Sequence, residues 1–128
     1  MANEITVSAK LSITKDGSTV TGDTSKSITL TGSGKYANTQ NIGTSVEQIS
    51  FPADLVTEGI GYVWLKNLDA TNYVEISQNV SGTKHVYCKL KPGEVALVRT
   101  HKAATVDPDI WAQANTAAIN LMVVATGT

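Results

Sequence analysis

The residues of this chain that could do chemistry are a few titratable groups able to bind a metal or move a proton, and a few aromatic groups able to bind a ligand by stacking. His85 and Cys88 stand three apart in His85-Val-Tyr-Cys-Lys89, and His101 follows. Imidazole and thiolate are good zinc ligands, but a structural site takes four, and on a strand residues i and i+3 point to opposite faces. The set reads as an inward-facing thiol that acts as a small hydrophobe, with two surface imidazoles. Asp107 and Asp109 bracket Pro108. A Ca²⁺ loop needs more oxygen ligands at closer, regular spacing, so this pair reads as setting a turn. Gly32-Ser-Gly-Lys35 resembles a phosphate loop only superficially: it lacks the earlier Gly and the Ser or Thr after Lys35. No Ser sits in a nucleophile elbow, and nothing points to a Ser-His-Asp set. The expectation is a protein with no catalytic residues, no cofactor and no metal.

The aromatic residues offer more. Tyr62 and Trp64 share one face of a strand, with Val63 and Leu65 on the other, and Tyr73 is expected opposite them on the next strand. Exposed, the trio would form a sugar-stacking platform or a protein hot spot, with Trp111 as a further contact. Buried, it would be sandwich core. Because only 5% of the residues are aromatic, the core reading is preferred.

The elements that position these groups read as short strands. Ile5, Val7, Ala9, Leu11 and Ile13 alternate with polar residues, the period of a half-buried strand. Asp16-Gly17 is a favoured hairpin centre, with a return strand at Thr19–Thr21 and another strand at Lys26–Thr31. Residues 1–43 are rich in Ser, Thr and Gly and read as an arm or as edge strands. Further strands are expected at Thr44–Phe51 (closed by Pro52), at Gly61–Asn67 and Asn72–Ser77 around Leu68–Thr71, and at Lys84–Lys89 and Glu94–Arg99 around Lys91-Pro-Gly93. Ile110–Ala114 and Ala118–Ala125 complete the chain, although Asp109–Ile119 also has helical propensity. Strands at this spacing indicate an all-β fold, an antiparallel β-sandwich of jelly-roll type in a single domain.

Composition narrows the function classes. The chain has 128 residues, 41% hydrophobic and 16% charged, with a net charge of -1. It is long enough for an independent core, and less charged than the roughly 25% usual in soluble domains. Arg99 is the sole arginine and the lysines are scattered, so no basic stripe for nucleic acid is present. With Cys88 as the only cysteine, no internal disulfide can form. The N-terminus lacks the pattern of a signal peptide, and the longest apolar run, Leu121–Ala125, is strand-sized. A soluble product that does not bind membranes is expected.

The second half carries a resemblance. Gly61-Tyr-Val-Trp-Leu-Lys-Asn-Leu-Asp-Ala-Thr-Asn-Tyr-Val-Glu-Ile76, then Lys89-Leu-Lys-Pro-Gly-Glu-Val-Ala-Leu-Val-Arg99, then Ile110-Trp-Ala-Gln-Ala-Asn-Thr-Ala-Ala-Ile119 resemble a group of small tailed-bacteriophage virion proteins. The resemblance spans Ile42 to the C-terminus. It implies a virion part made in the host cytoplasm, most naturally a capsid decoration (cement) protein on the capsid surface. The implied partners are the major capsid protein and copies of the chain itself, with a homotrimer favoured. A tail-tip, baseplate or head-fibre component, or a receptor- or glycan-binding module, are the alternatives. Asn67, Asp69, Asn72, Pro92 and Gly93 would shape turns in such a protein. Ala2–Lys15 is a segment suited to strand addition, or to an ordinary strand in its own sheet.

Overall fold

The computed structural model describes residues 4–30, 34–100 and 109–128. Ten strands run in the order β1 (Ile5–Lys15), β2 (Ser18–Ile28), β3 (Lys35–Ile42), β4 (Glu47–Gln48), β5 (Ile60–Asn67), β6 (Val74–Val80), β7 (Thr83–Leu90), β8 (Val95–Arg99), β9 (Trp111–Ala114) and β10 (Ile119–Gly127). One short helix, α1 (Ala53–Glu58), lies between β4 and β5. The chain divides into two compact units, the first ending at Thr31 and the second starting at Gly32. β3 belongs to the second unit.

The first unit is a two-stranded antiparallel hairpin of β1 and β2. Asp16 and Gly17 close it with φ of 52° and 77°, the double positive-φ turn that Asp-Gly favours. The strand read at Thr19–Thr21 and the start of that read at Lys26–Thr31 are one continuous β2, which ends at Ile28; Thr31 lies outside the described residues. With no side chain at Gly22 and short hydroxyls around it, nothing in that stretch interrupts the ladder.

The second unit is an antiparallel sandwich of two four-stranded sheets, ordered β3-β10-β5-β8 and β4-β9-β6-β7. Its pairings nest: β6 with β7, β5 with β8, β4 with β9, and β3 with β10. A long hairpin rolled up so that its strand pairs fall alternately into two sheets gives this order, the jelly roll expected from the strand spacing. Inward residues come from the apolar phase of each strand. In β10 these are Ile119, Leu121, Val123 and Ala125, each at most 1% exposed. Opposite them Val74, Ile76, Ala112 and Ala114 fill the layer from the other sheet. The core is aliphatic, with Tyr36 and Phe51 packed at its margin, ring centroids 6.3 Å apart and edge-on.

Several local expectations are corrected. The stretch Thr44–Phe51 contributes only the two-residue β4, and Pro52 opens α1 rather than ending a strand. Proline's fixed φ and missing N–H suit the start of a helix, and Leu55 then anchors α1 in the core. Asp109–Ile119 is strand β9 and its flanks, because Ala112 and Ala114 are core residues at period two. The turns after Asn67 and after Leu90 join strands of different sheets and close no hairpin. The local turn chemistry is as read, since Gly93 has φ 79° and Glu94 N–H donates to Lys91 O at 3.0 Å. Among the described residues, no helix is long and apolar enough to cross a membrane.

Candidate functional site: an apolar band across one sheet

The core expectation for Tyr62 and Trp64 fails on strand phase. Val63 and Leu65 take the inward positions at 0% exposure, which leaves Tyr62 and Trp64 on the outer face of the β3-β10-β5-β8 sheet. There the register lines up a row across all four strands: Ala37 opposite Val124, Val124 opposite Trp64, and Trp64 opposite Leu97. The next row is Thr39, Met122, Lys66 and Val95. Leu97 is 38% exposed and Val95 53%, so the band is open to solvent at its β8 side. On the other flank, Tyr62 pairs with Arg99, whose guanidinium carbon lies 5.1 Å from the tyrosine ring centre. This contact holds the arginine flat against the sheet.

Trp, Tyr, Met and Arg are the residue types enriched where proteins meet one another. Antiparallel pairing holds the members of the band in register, and Lys66 is the charge within its rows. Sequence reading identified Tyr62 and Trp64 but not their neighbours. A signal was present: Leu121–Ala125, Tyr62–Leu65 and Val95–Val98 are apolar at both phases. A strand apolar at both phases is covered on both faces or asks to be.

The other two aromatics lie elsewhere. Tyr73 precedes β6 of the opposite sheet, and the Lys89 ammonium sits 4.4 Å from its ring centre. Trp111 is in β9, also in the opposite sheet, and its Nε1–H donates to Asp109 Oδ1 at 2.6 Å. Four aromatics on two sheets do not form one stacking platform. Asp109 also accepts from Asn79 N–H at 3.4 Å, so it ties the start of β9 to β6. Asp107 and His101 are outside the described residues, as are Gly32 and Ser33 of the Gly-Ser-Gly-Lys stretch.

The face argument for His85 and Cys88 is corrected too. A register shift between Ile76 and Ser77 leaves Tyr87 as the extra residue of β7. Cys88 pairs with Ile76 and His85 with Gln78, so the bulge turns both toward the same face. Cys88 packs against the core, and burial pushes its thiol pKa up, which keeps it protonated and a poor metal ligand. Among the described residues, no three His, Cys, Asp or Glu side chains gather in a metal-holding group.

The turn residues of the resembling segment have structural roles. Asp69 Oδ2 accepts from Thr71 N–H at 2.8 Å and Asn72 N–H at 2.5 Å, and these bonds hold its carboxyl below the usual carboxylate range. Asn72 Oδ1 accepts from Thr116 Oγ1 at 2.7 Å. Neither a protein-family model, nor a curated protein, nor a solved structure matches the chain.

Proposed function

We propose that this chain is a non-enzymatic virion structural protein, a capsid decoration subunit that docks on the shell built by the major capsid protein. The apolar band centred on Trp64 and Leu97 carries the reading. A row of aliphatic and aromatic side chains spread across four strands, with Arg99 and Lys66 beside it, suits a broad protein surface better than a small molecule, which needs a concave site. Jelly rolls serve in viral capsids, lectins and cupins alike, so the fold does not choose among them. The resemblance of the segment from Ile42 onward to phage virion proteins weighs toward the shell. Many copies that bind only the assembled shell would stabilise it by mass action. A role in the tail or in a head fibre would use the same band against a different partner. The glycan reading is left with Tyr62 and Trp64 alone.

The test is co-sedimentation of purified protein with capsids. Saturable binding and a higher capsid disruption temperature are expected. Val95→Glu with Leu97→Glu should abolish binding yet keep the thermal transition of the free chain, because both side chains are already exposed. Failure to bind any capsid form would overturn the reading. Trp fluorescence quenched by a sugar, with that quenching lost on Trp64→Ala, would replace it with glycan binding.

A further inference from the structure

The β1–β2 hairpin has an apolar face that its own unit does not cover. Its strands pair along their whole length, from Ile5 opposite Ile28 to Lys15 opposite Ser18. By register one face carries Ile5, Val7, Ala9, Leu11 and Ile13 with Val20, Gly22, Thr24, Lys26 and Ile28. The other face is polar, and hydroxyl pairs join its strands: Ser12 with Thr21 at 3.0 Å and Thr14 with Thr19 at 2.9 Å. Every residue from Ser8 to Ser27 is exposed. Leu11, Ile13 and Val20 are 69%, 59% and 70% exposed. The two-stranded sheet also has two lateral edges, each a row of backbone donors and acceptors open to further pairing. A hairpin of this kind is marginal by itself, and three or more strands with a shared apolar face are needed for stability.

We propose that three copies of this chain close their N-terminal hairpins into a six-stranded antiparallel barrel around a threefold axis. If each β1 edge meets the β2 edge of the next copy, every junction is antiparallel, because β1 and β2 are themselves antiparallel. Closure removes all six edges and turns the apolar faces inward. The face is about 37 Å long and about 10 Å wide, or about 370 Å². Each copy gives up the same area whether two or three come together, so what favours three is that closure also pairs every edge, which two faces pressed together leave open. Four copies would make an eight-stranded barrel, whose interior needs larger side chains than Ala9, Gly22 and Thr24 to fill it. Lys26 and Lys15 are the charges on the face and lie toward its two ends, Lys15 beside the turn and Lys26 away from it, where their ammonium groups reach water. A face whose middle is apolar, with lysines only toward its ends, suits neither nucleic acid nor an anionic membrane. The barrel does not depend on shell binding: it is read from the chain alone, so either proposal can fail without the other.

Light scattering after size-exclusion chromatography tests this on the full chain at micromolar concentration. The expected mass is three times 13.5 kDa. Leu11→Lys with Ile13→Lys, and separately Val20→Lys, should reduce it threefold to the monomer. Both tryptophans lie in the sandwich, so an unchanged thermal transition by Trp fluorescence shows that the sandwich is still folded. Ser12→Glu, on the polar face, should leave the trimer intact. A wild-type monomer or dimer, a trimer that survives the lysine variants, or a trimer lost equally on Ser12→Glu would each overturn the proposal.

Discussion

Asn67 makes the most exacting test of how the sandwich is held together. It is fully buried at the end of β5. Its Nδ2 donates to Asn72 O at 2.8 Å and to Leu90 O at 3.0 Å, and its Oδ1 accepts from Asp69 N–H at 2.9 Å. Its backbone N–H donates to Glu94 O at 3.1 Å, and its carbonyl accepts from Gly93 N–H at 3.0 Å. One residue thus joins the two connections that cross between the sheets. Asn67→Ala leaves the Leu90 carbonyl unpaired in a buried place, at a cost of about 1–3 kcal/mol. The partners at Asn72 and Asp69 are only partly buried and can recruit water, so each adds about 0.5–1.5 kcal/mol. The total is about 4 kcal/mol, a large share of the roughly 5–15 kcal/mol that holds a domain together.

Asn67→Asp separates hydrogen bonding from space filling. The shape is kept and the acceptor to Asp69 survives, but an oxygen now faces two carbonyl oxygens, and the new carboxylate is buried without a cation. At neutral pH this variant should be at least as destabilised as Asn67→Ala. Burial disfavours its charged form, so its folded pKa lies above the unfolded value. The destabilisation is then full above the folded pKa and is relieved as the pH falls through it, when the protonated oxygen can donate one bond. Urea unfolding followed by Trp fluorescence measures both variants. With a slope of about 2 kcal/mol per M, the midpoint of Asn67→Ala should fall by about 2 M. An Asp variant within about 0.5 kcal/mol of wild type would refute the argument, since that is the range of a neutral surface change.

Two further predictions concern close approach and charge. At Gly61 an added Cβ would lie 2.7 Å from Gly127 O, a backbone atom that cannot swing aside; Gly61→Ala should therefore cost about 1–3 kcal/mol, and hydrogen exchange should show the last residues of β10 losing protection. Asp69 has a lowered pKa because Asn72 and Thr71 N–H groups bond its carboxylate, so its contribution is full above the usual carboxylate pKa and is lost as the pH falls through the lowered folded value; Asp69→Asn should flatten that acid limb of the stability–pH curve, and an unchanged limb would contradict the assignment.

The sequence pattern made the strand content and the turn chemistry legible, because both are local. Asp16-Gly17 and Pro92-Gly93 favour turn geometry through their own residues, whatever the rest of the chain does. It did not show whether a turn closes a hairpin or crosses to the other sheet. Lys91–Glu94 makes the same backbone bond in either case, and only the partner of β8, which is β5, decides. The face of Tyr62 and Trp64 was misread for a related reason. Both phases of β5 and of its partner β10 are apolar, so periodicity could not say which one points inward. The bulge at Tyr87 was hidden as well, since β7 has no glycine to mark it, and with it went the face of His85. Among the described residues, Ser81-Gly82 is the one tight hairpin of the sandwich, with φ of 52° and 83°, and its Ser-Gly pair was a usable signal that went unread.

The nesting of the sandwich pairs bears on when each proposed contact can form. Ala37, Trp64, Leu97 and Val124 come from β3, β5, β8 and β10, so the band exists only once the outermost pair, β3 with β10, has closed. β10 lies between β3 and β5, so a chain lacking β10 has neither the row nor the sheet that carries it. Such non-local pairing folds slowly, whereas hairpins form in about 1–10 μs. The β1–β2 ladder is entirely local and needs nothing from the sandwich's register. The proposed barrel and the proposed shell contact are therefore gated differently: self-association requires only the hairpin, and docking requires the finished jelly roll. On these two proposals, copies would gather before the surface that would engage a shell is complete, and a misfolded sandwich would present no such surface at all.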